Sequence, residues 1–145
     1  MSVPCASGKQ VLLLDDEEAI LHPAGIYFRA LGCLIDLTRE PEEAAALVSH
    51  RHYDLAILDF RATRFGGQEY FEVLRAIRRR DRGTRIIVLS AYVSAEMEEQ
   101  ARALGADAVL PKPQSLHDLA RLAIALMGTP IDEQDDSLPF LKVNG

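Results

Sequence analysis

The 145-residue chain has no tryptophan and only two cysteines. Cys5 and Cys33 cannot make a disulfide framework, and neither has a second cysteine or a histidine at zinc-ligand spacing. Cys33 reads as small apolar filler and Cys5 as part of a loose leader. No apolar run approaches the roughly 18–20 residues a bilayer-spanning helix needs. The opening MSVPCASGKQ lacks the basic region and apolar stretch of a secretory signal. A soluble, cytoplasmic protein without a membrane partner is the expectation. A basic excess is missing as well: the net charge of -6 argues against direct nucleic-acid binding, which depends on neutralising phosphates. Repeats and low-complexity tracts are absent, which excludes solenoids and fibrous chains.

What is present is ordinary globular material, 48% apolar and 26% charged, enough for one domain with its own core. One stretch departs from the acidic average. Residues 75–85, RAIRRRDRGTR, hold six arginines. The plain reading is a solvated helix end whose cations complement the C-terminal dipole.

A unit recurs along the chain: a short apolar run, a polar turn, then apolar residues at helical spacing. The runs lie at residues 11–14, 34–37, 55–58, 86–89 and 108–110. They are too uniformly apolar for half-exposed antiparallel strands and suit strands buried on both faces of a parallel sheet. Pro41 with Glu42 and Glu43 marks a helix start, followed by Ala44, Leu47 and Val48 on one face. Tyr70, Val73, Leu74 and Ile77 form a second stripe. Met97, Ala101 and Leu104 form a third, ended by Gly105. Leu116, Leu119, Ala120, Ala123, Leu126 and Met127 form the last. Leu122 and Ile124 widen its arc, which predicts tighter burial or, alternatively, a self-association face that would make a homodimer through the last helices. In the first helix Ile20, Ala24, Tyr27 and Leu31 share a face, and Pro23 predicts a kink or a restart near His22. Five strands alternating with five helices imply a doubly wound α/β fold with a parallel sheet. The divisions are a leader at 1–8, a domain at 9–128, and an acidic tail or linker at 129–145.

In such sheets ligands bind at the carboxyl ends of the strands. The residues standing there are Asp15 and Asp16 (VLLLDDEE), Asp59 (LAILDF), Ser90 (IIVLSA) and Lys112 (AVLPKP). Singly, each has a plain explanation: the acidic pair can cap a helix, Asp59 can be a loop acid, and Lys112 an exposed turn residue. Together they converge on one edge. Three carboxylates at close range repel one another, and a hard divalent cation with oxygen ligands, magnesium above all, resolves the conflict. Lys112 and Ser90 add contacts for phosphoryl oxygens.

With these motifs, and with Gly67 eight residues after Asp59, the chain resembles the receiver domains of two-component response regulators. The resemblance covers residues 9 to 128 and implies a flavodoxin-like sheet of order 2-1-3-4-5. It implies that Asp59 takes a phosphoryl group from a sensor histidine kinase or a histidine phosphotransfer protein. Asp16, Asp59 and the Arg61 carbonyl would bind Mg2+, with Asp15 acting through a water. Lys112 would pair with the phosphoryl group and Ser90 would swing toward it, switching a downstream protein or output domain. Chemistry would be confined to the chain itself, so it is not an enzyme in the usual sense. The Lys112–Pro113 bond matches one often cis in the family.

There are departures. Ala62 and Thr63 stand where Met-Pro is common, and Val109 replaces the aromatic residue usual three positions before the lysine. Arg61 and Tyr92 flank the expected phosphoryl site, where bulk would slow hydrolysis; two solvated rim side chains are the plain alternative. A degenerate receiver acting as an interaction module is the second reading, although such chains usually lose the acids kept here. An aspartyl-phosphate phosphatase of the haloacid-dehalogenase kind ranks lower, because Arg61 occupies its acid/base position.

Overall fold

The computed structural model describes residues 7–60 and 68–128. Arg61, Ala62, Thr63 and Gly67, most of the leader, and the 129–145 tail lie outside the described residues. Ten elements alternate: β1 (Gln10–Leu14), α1 (Glu18–Ala30), β2 (Leu34–Thr38), α2 (Pro41–His50), β3 (Leu55–Phe60), α3 (Gln68–Arg80), β4 (Arg85–Ser90), α4 (Ala95–Ala103), β5 (Ala108–Pro111) and α5 (Leu116–Gly128). The strands form one parallel sheet of order β2-β1-β3-β4-β5, as expected.

The uniform apolarity of the strands follows from packing on both faces. Val11 and Leu13 of β1 point to one side, with Ile57, Ile87, Phe28, Leu119 and Ala123. Leu12 and Leu14 point to the other, with Leu58, Val88, Ala44, Leu74 and Ala101. Thus α1 and α5 cover one face while α2, α3 and α4 cover the other. Successive strand residues alternate sides, so burying both faces requires apolar residues at every position. The strand β2, at the edge of the described sheet, departs from this: Leu34 is 62% exposed.

The first helix corrects the sequence reading. Its buried residues are Leu21, Ala24, Gly25 and Phe28, whereas Ile20 is exposed and Tyr27 and Leu31 are only partly covered. Small residues decide the rotation. A Cβ on Gly25 would lie 3.0 Å from Leu37 Cδ1, so the helix seats closely on the sheet along its Ala24–Gly25 side. Nor does the helix restart near His22: α1 is one helix with Pro23 inside it. Pro23 and Ala19 are both exposed, so water can satisfy the Ala19 carbonyl that Pro23 leaves without its donor.

The wide arc of α5 is mostly buried, Leu122 included, which is the tighter-burial outcome. By contrast only Ala101 of α4 is buried. Ser94 caps that helix by accepting the Met97 amide at 3.0 Å, and Gly105 ends it with φ +108, a conformation that favours glycine.

The amino edge of the sheet carries a polar network. Asp107 accepts the Ile86 amide at 2.8 Å and meets the guanidinium groups of Arg85 at 3.3 Å and Arg78 at 3.6 Å. Arg78 also donates to the carbonyls of Thr84 and Gly105, both at 2.6 Å. Asp54 accepts the Gln10 amide at 2.8 Å, and the buried Tyr53 hydroxyl donates to Asp36 at 2.6 Å. Arg80 reaches the Ser49 carbonyl at 3.1 Å. The arginine run is therefore only partly a solvated helix end: Arg78 and Arg80 join neighbouring elements.

Candidate functional site

At the opposite edge the carboxyl ends of β1, β3, β4 and β5 converge. Parallel register sets the depths. Leu14 lies beside Leu58, Asp59 beside Leu89, Phe60 beside Ser90, and Ser90 beside Pro111. Asp15, Asp59 and Ser90 thus leave their strands at nearly the same level, and Lys112 follows directly. Local bonds hold the frame. The Asp15 amide donates to the Thr38 carbonyl at 3.0 Å, and the Lys112 amide to the Ser90 carbonyl at 2.9 Å. Asp15 Oδ1 accepts the Glu17 amide at 2.9 Å, closing the turn that leads into α1. The Lys112–Pro113 peptide is cis.

Asp15, Asp59 and Ser90 are buried, Asp16 is half-buried, and Lys112 is largely covered. Lys112 Nζ lies 3.1 Å from Asp59 Oδ1, 3.7 Å from Asp15 Oδ2 and 3.8 Å from Glu17 Oε1. One ammonium thus serves three carboxylates. Burial, and then the Asp15 charge, push the Asp59 carboxyl up to about 6, with Lys112 pulling the other way. Burial works against the Lys112 charge, but Asp59, Asp15 and Glu17 together outweigh it and raise its proton affinity. Among the described residues, Asp15, Asp59 and Glu17 carry more negative charge than Lys112 alone can balance.

That imbalance is what a hard cation would relieve. Carboxylate oxygens of Asp15, Asp16 and Glu17 lie within 4.8 Å of one another, and Asp59 joins them across Lys112. An all-oxygen donor set fits magnesium. Glu17 is the residue the sequence reading missed. The DDEE run contains the signal, but a glutamate at a helix start is routinely read as dipole compensation.

Beside these groups opens a cleft of about 380 Å³ lined by Asp16, Glu17, Asp59, Phe60, Ala91, Tyr92 and Lys112. Tyr92 is 75% exposed, a rim residue. Ser90 is held beneath, its Oγ accepting the Tyr92 amide at 3.2 Å. Val109 is buried among Ile86, Val88 and Tyr70 and contributes no aromatic ring. The structure therefore brings together Asp15, Asp16, Asp59, Ser90 and Lys112, while Arg61 lies outside the described residues.

Comparison with known proteins bears on the family and the fold. Residues 11–124 match the family model of the response regulator receiver domain. The response regulator MprA of Mycobacterium sp. strain KMS is 31% identical over 137 residues, covering 92% of this chain and 58% of the relative. A response regulator receiver protein of Anaeromyxobacter sp. strain Fw109-5 is 31% identical over 105 residues, covering 72% of this chain and 43% of the relative. The chain thus spans about half the length of these relatives. Among solved structures, a CheY-like receiver domain protein from Methanospirillum hungatei JF-1 superposes with a TM-score of 0.75. It is 25% identical, with 83% of this chain and 94% of that one covered. The receiver domain of the Francisella response regulator 1452 superposes with a TM-score of 0.70 at 26% identity, covering 83% and 97%.

Proposed function

Since this chain belongs to the response regulator receiver family of two-component systems, we propose that Asp59 is its phosphoacceptor and that Asp15, Asp16, Ser90 and Lys112 serve that one residue. The observation that carries the reading is the Lys112–Asp59 contact of 3.1 Å, set in a buried group of acids that a single lysine does not neutralise.

An Asp59 carboxylate oxygen attacks the phosphorus of a phosphohistidine on a partner kinase or phosphotransfer protein. The O–P bond forms as the P–N bond breaks, and the electron pair returns to the departing imidazole. The product is an acyl phosphate, which water later cleaves to restore Asp59 and release inorganic phosphate. Asp16 and Asp59, with Asp15 acting through a water, would hold magnesium, which would supply charge neutralisation for the phosphoryl oxygens. The chain's own residues do the rest. Lys112 exchanges its Asp59 contact for a phosphoryl oxygen, since the carboxylate that held it becomes an ester-like group with less charge. Ser90 gives up the Tyr92 amide to donate its hydroxyl, which draws the segment after β4 inward. With only Ala101 of α4 buried, the element after that segment is weakly anchored and suited to move.

Intact-mass measurement after incubation with acetyl phosphate or a phosphorylated histidine kinase, with and without magnesium, tests this. One phosphoryl group should add in the presence of magnesium and none in Asp59→Asn. Incorporation that survives in Asp59→Asn, or none from either donor, would overturn the assignment.

A further inference from the structure

A second charged feature lies far from Asp59, between the end of α3 and the turn from α4 into β5. It is a cleft of about 840 Å³ lined by four arginines, 75, 78, 79 and 82, together with Ala103, Leu104, Gly105 and Asp107. The cleft is built rather than incidental. Arg78 ties its two walls together through the carbonyls of Thr84 and Gly105. A Cβ at residue 105 would collide with the Arg78 guanidinium, so the close approach depends on glycine. Arg75 is engaged by Glu72 at 2.8 Å. Arg79 and Arg82 are exposed, and neither has a carboxylate partner among the described residues. Helix-dipole compensation needs no residue as distant as Arg82, which lies beyond the end of α3.

We propose that this cleft is the docking site of the chain's own acidic segment, residues 132–136 (DEQDD), in which four of five residues are acids. Three observations select that occupant. Charge is complementary: two exposed guanidinium groups with no carboxylate partner among the described residues face solvent, in a chain whose net charge is -6. Topology puts both ends at one edge: although α3 and α5 lie on opposite faces, helices that run antiparallel to the strands finish at the amino edge of the sheet, where both end. Length suffices as well. Asp132 and Asp136 lie four and eight residues beyond Gly128, a reach of at most about 14–28 Å, comparable with a sheet and one helix layer. Tethering then favours this segment over a free acidic peptide, since a short linker gives an effective concentration on the order of millimolar. Docking there would hold the chain beyond residue 136 beside α4 and β5, independently of phosphoryl chemistry.

A nitroxide on Ser137→Cys in the full chain, with Cys5→Ser and the 4%-exposed Cys33 retained, reads the contact by NMR. Amide signals of residues 79–83 and 103–106 should broaden several-fold more than those of residues 91–93 at the other edge. Arg79→Gln with Arg82→Gln should abolish the difference while leaving the rest of the spectrum unchanged. Salt of about 1 M, where the screening length falls to about 3 Å, should do the same. Equal broadening at both edges, or broadening that survives the double substitution, would overturn the proposal. So would a cleft that ignores the tail but shifts on addition of a polyglutamate peptide or a DNA duplex, which would assign it to a separate partner.

Discussion

At the amino edge of the sheet, Asp107 meets Arg78, Arg85 and a backbone amide, whereas at the carboxyl edge Asp15, Asp59 and Glu17 share the single ammonium of Lys112. The same five strands supply both edges, and both contain buried or half-buried acids. They differ in compensation. Amino-edge carboxylates are matched by fixed donors and join elements that already touch, so their charges belong to the fold. Among the described residues, the carboxyl-edge carboxylates share one ammonium and are undercompensated, a strain that a bound cation would relieve. Counting the donors around an acid thus separates the acids of the structural network from those of the candidate site where burial alone does not.

Substitutions can break or sharpen that contrast. The largest expected effect is at the amino edge. Arg78→Ala leaves the Thr84 and Gly105 carbonyls and the Asp107 carboxylate without their shared donor, and should destabilise the chain by about 3 kcal/mol in urea unfolding. A loss no greater than that of an exposed arginine would remove the structural role assigned to this network.

Next comes Asp59→Asn, with the opposite sign. The unfolded carboxyl has a pKa of 3.8 and the folded one about 6, so the folded chain holds an extra proton between those values. The associated stability is complete below the unfolded value and is lost as pH rises through the folded one. Near neutral pH the ionised Asp59 is therefore a burden, and the amide should stabilise the metal-free chain by on the order of 2 kcal/mol. Below the unfolded value the gain should vanish. A benefit of equal size at both pH values would show that packing, and not charge, is responsible.

Tyr53→Phe removes a hydroxyl that donates to Asp36 at 2.6 Å, a bond that together with burial raises the phenol's pKa. Arg51 keeps Asp36 paired at 2.8 Å, which limits the loss to about 1 kcal/mol in the same unfolding measurement. Smallest of all, Arg79→Gln with Arg82→Gln should change stability by less than about 0.5 kcal/mol, because solvent-exposed charges contribute little even when they meet an acidic segment. A larger loss would mean that these arginines belong to the structural network after all.

The fold was legible because a sheet buried on both faces writes itself as short, uniformly apolar runs, and residues 11–14, 55–58 and 86–89 are such runs. The convergence of the candidate site's main members was legible because parallel topology sends every residue that follows a strand to the same edge. Glu17 was not, since an acid in a first helical turn has an ordinary explanation until Lys112 is seen 3.8 Å away. The seat of α1 was misread for a related reason. Ile20 and Tyr27 are larger than Gly25, yet contact with Leu37 rewards the residue that takes least room. Arg78 reads as one of six similar arginines, and only its distances to the Thr84 and Gly105 carbonyls distinguish it.

The sequence by itself determined the order of elements, the parallel sheet and the identity of the acids, lysine and serine at its edge. Each of these follows from local periodicity and from where an apolar run stops. Only the tertiary structure decided which acids are balanced and which are not. Compensation is a matter of distances between residues far apart in the chain, and these exist only once the strands have come into register.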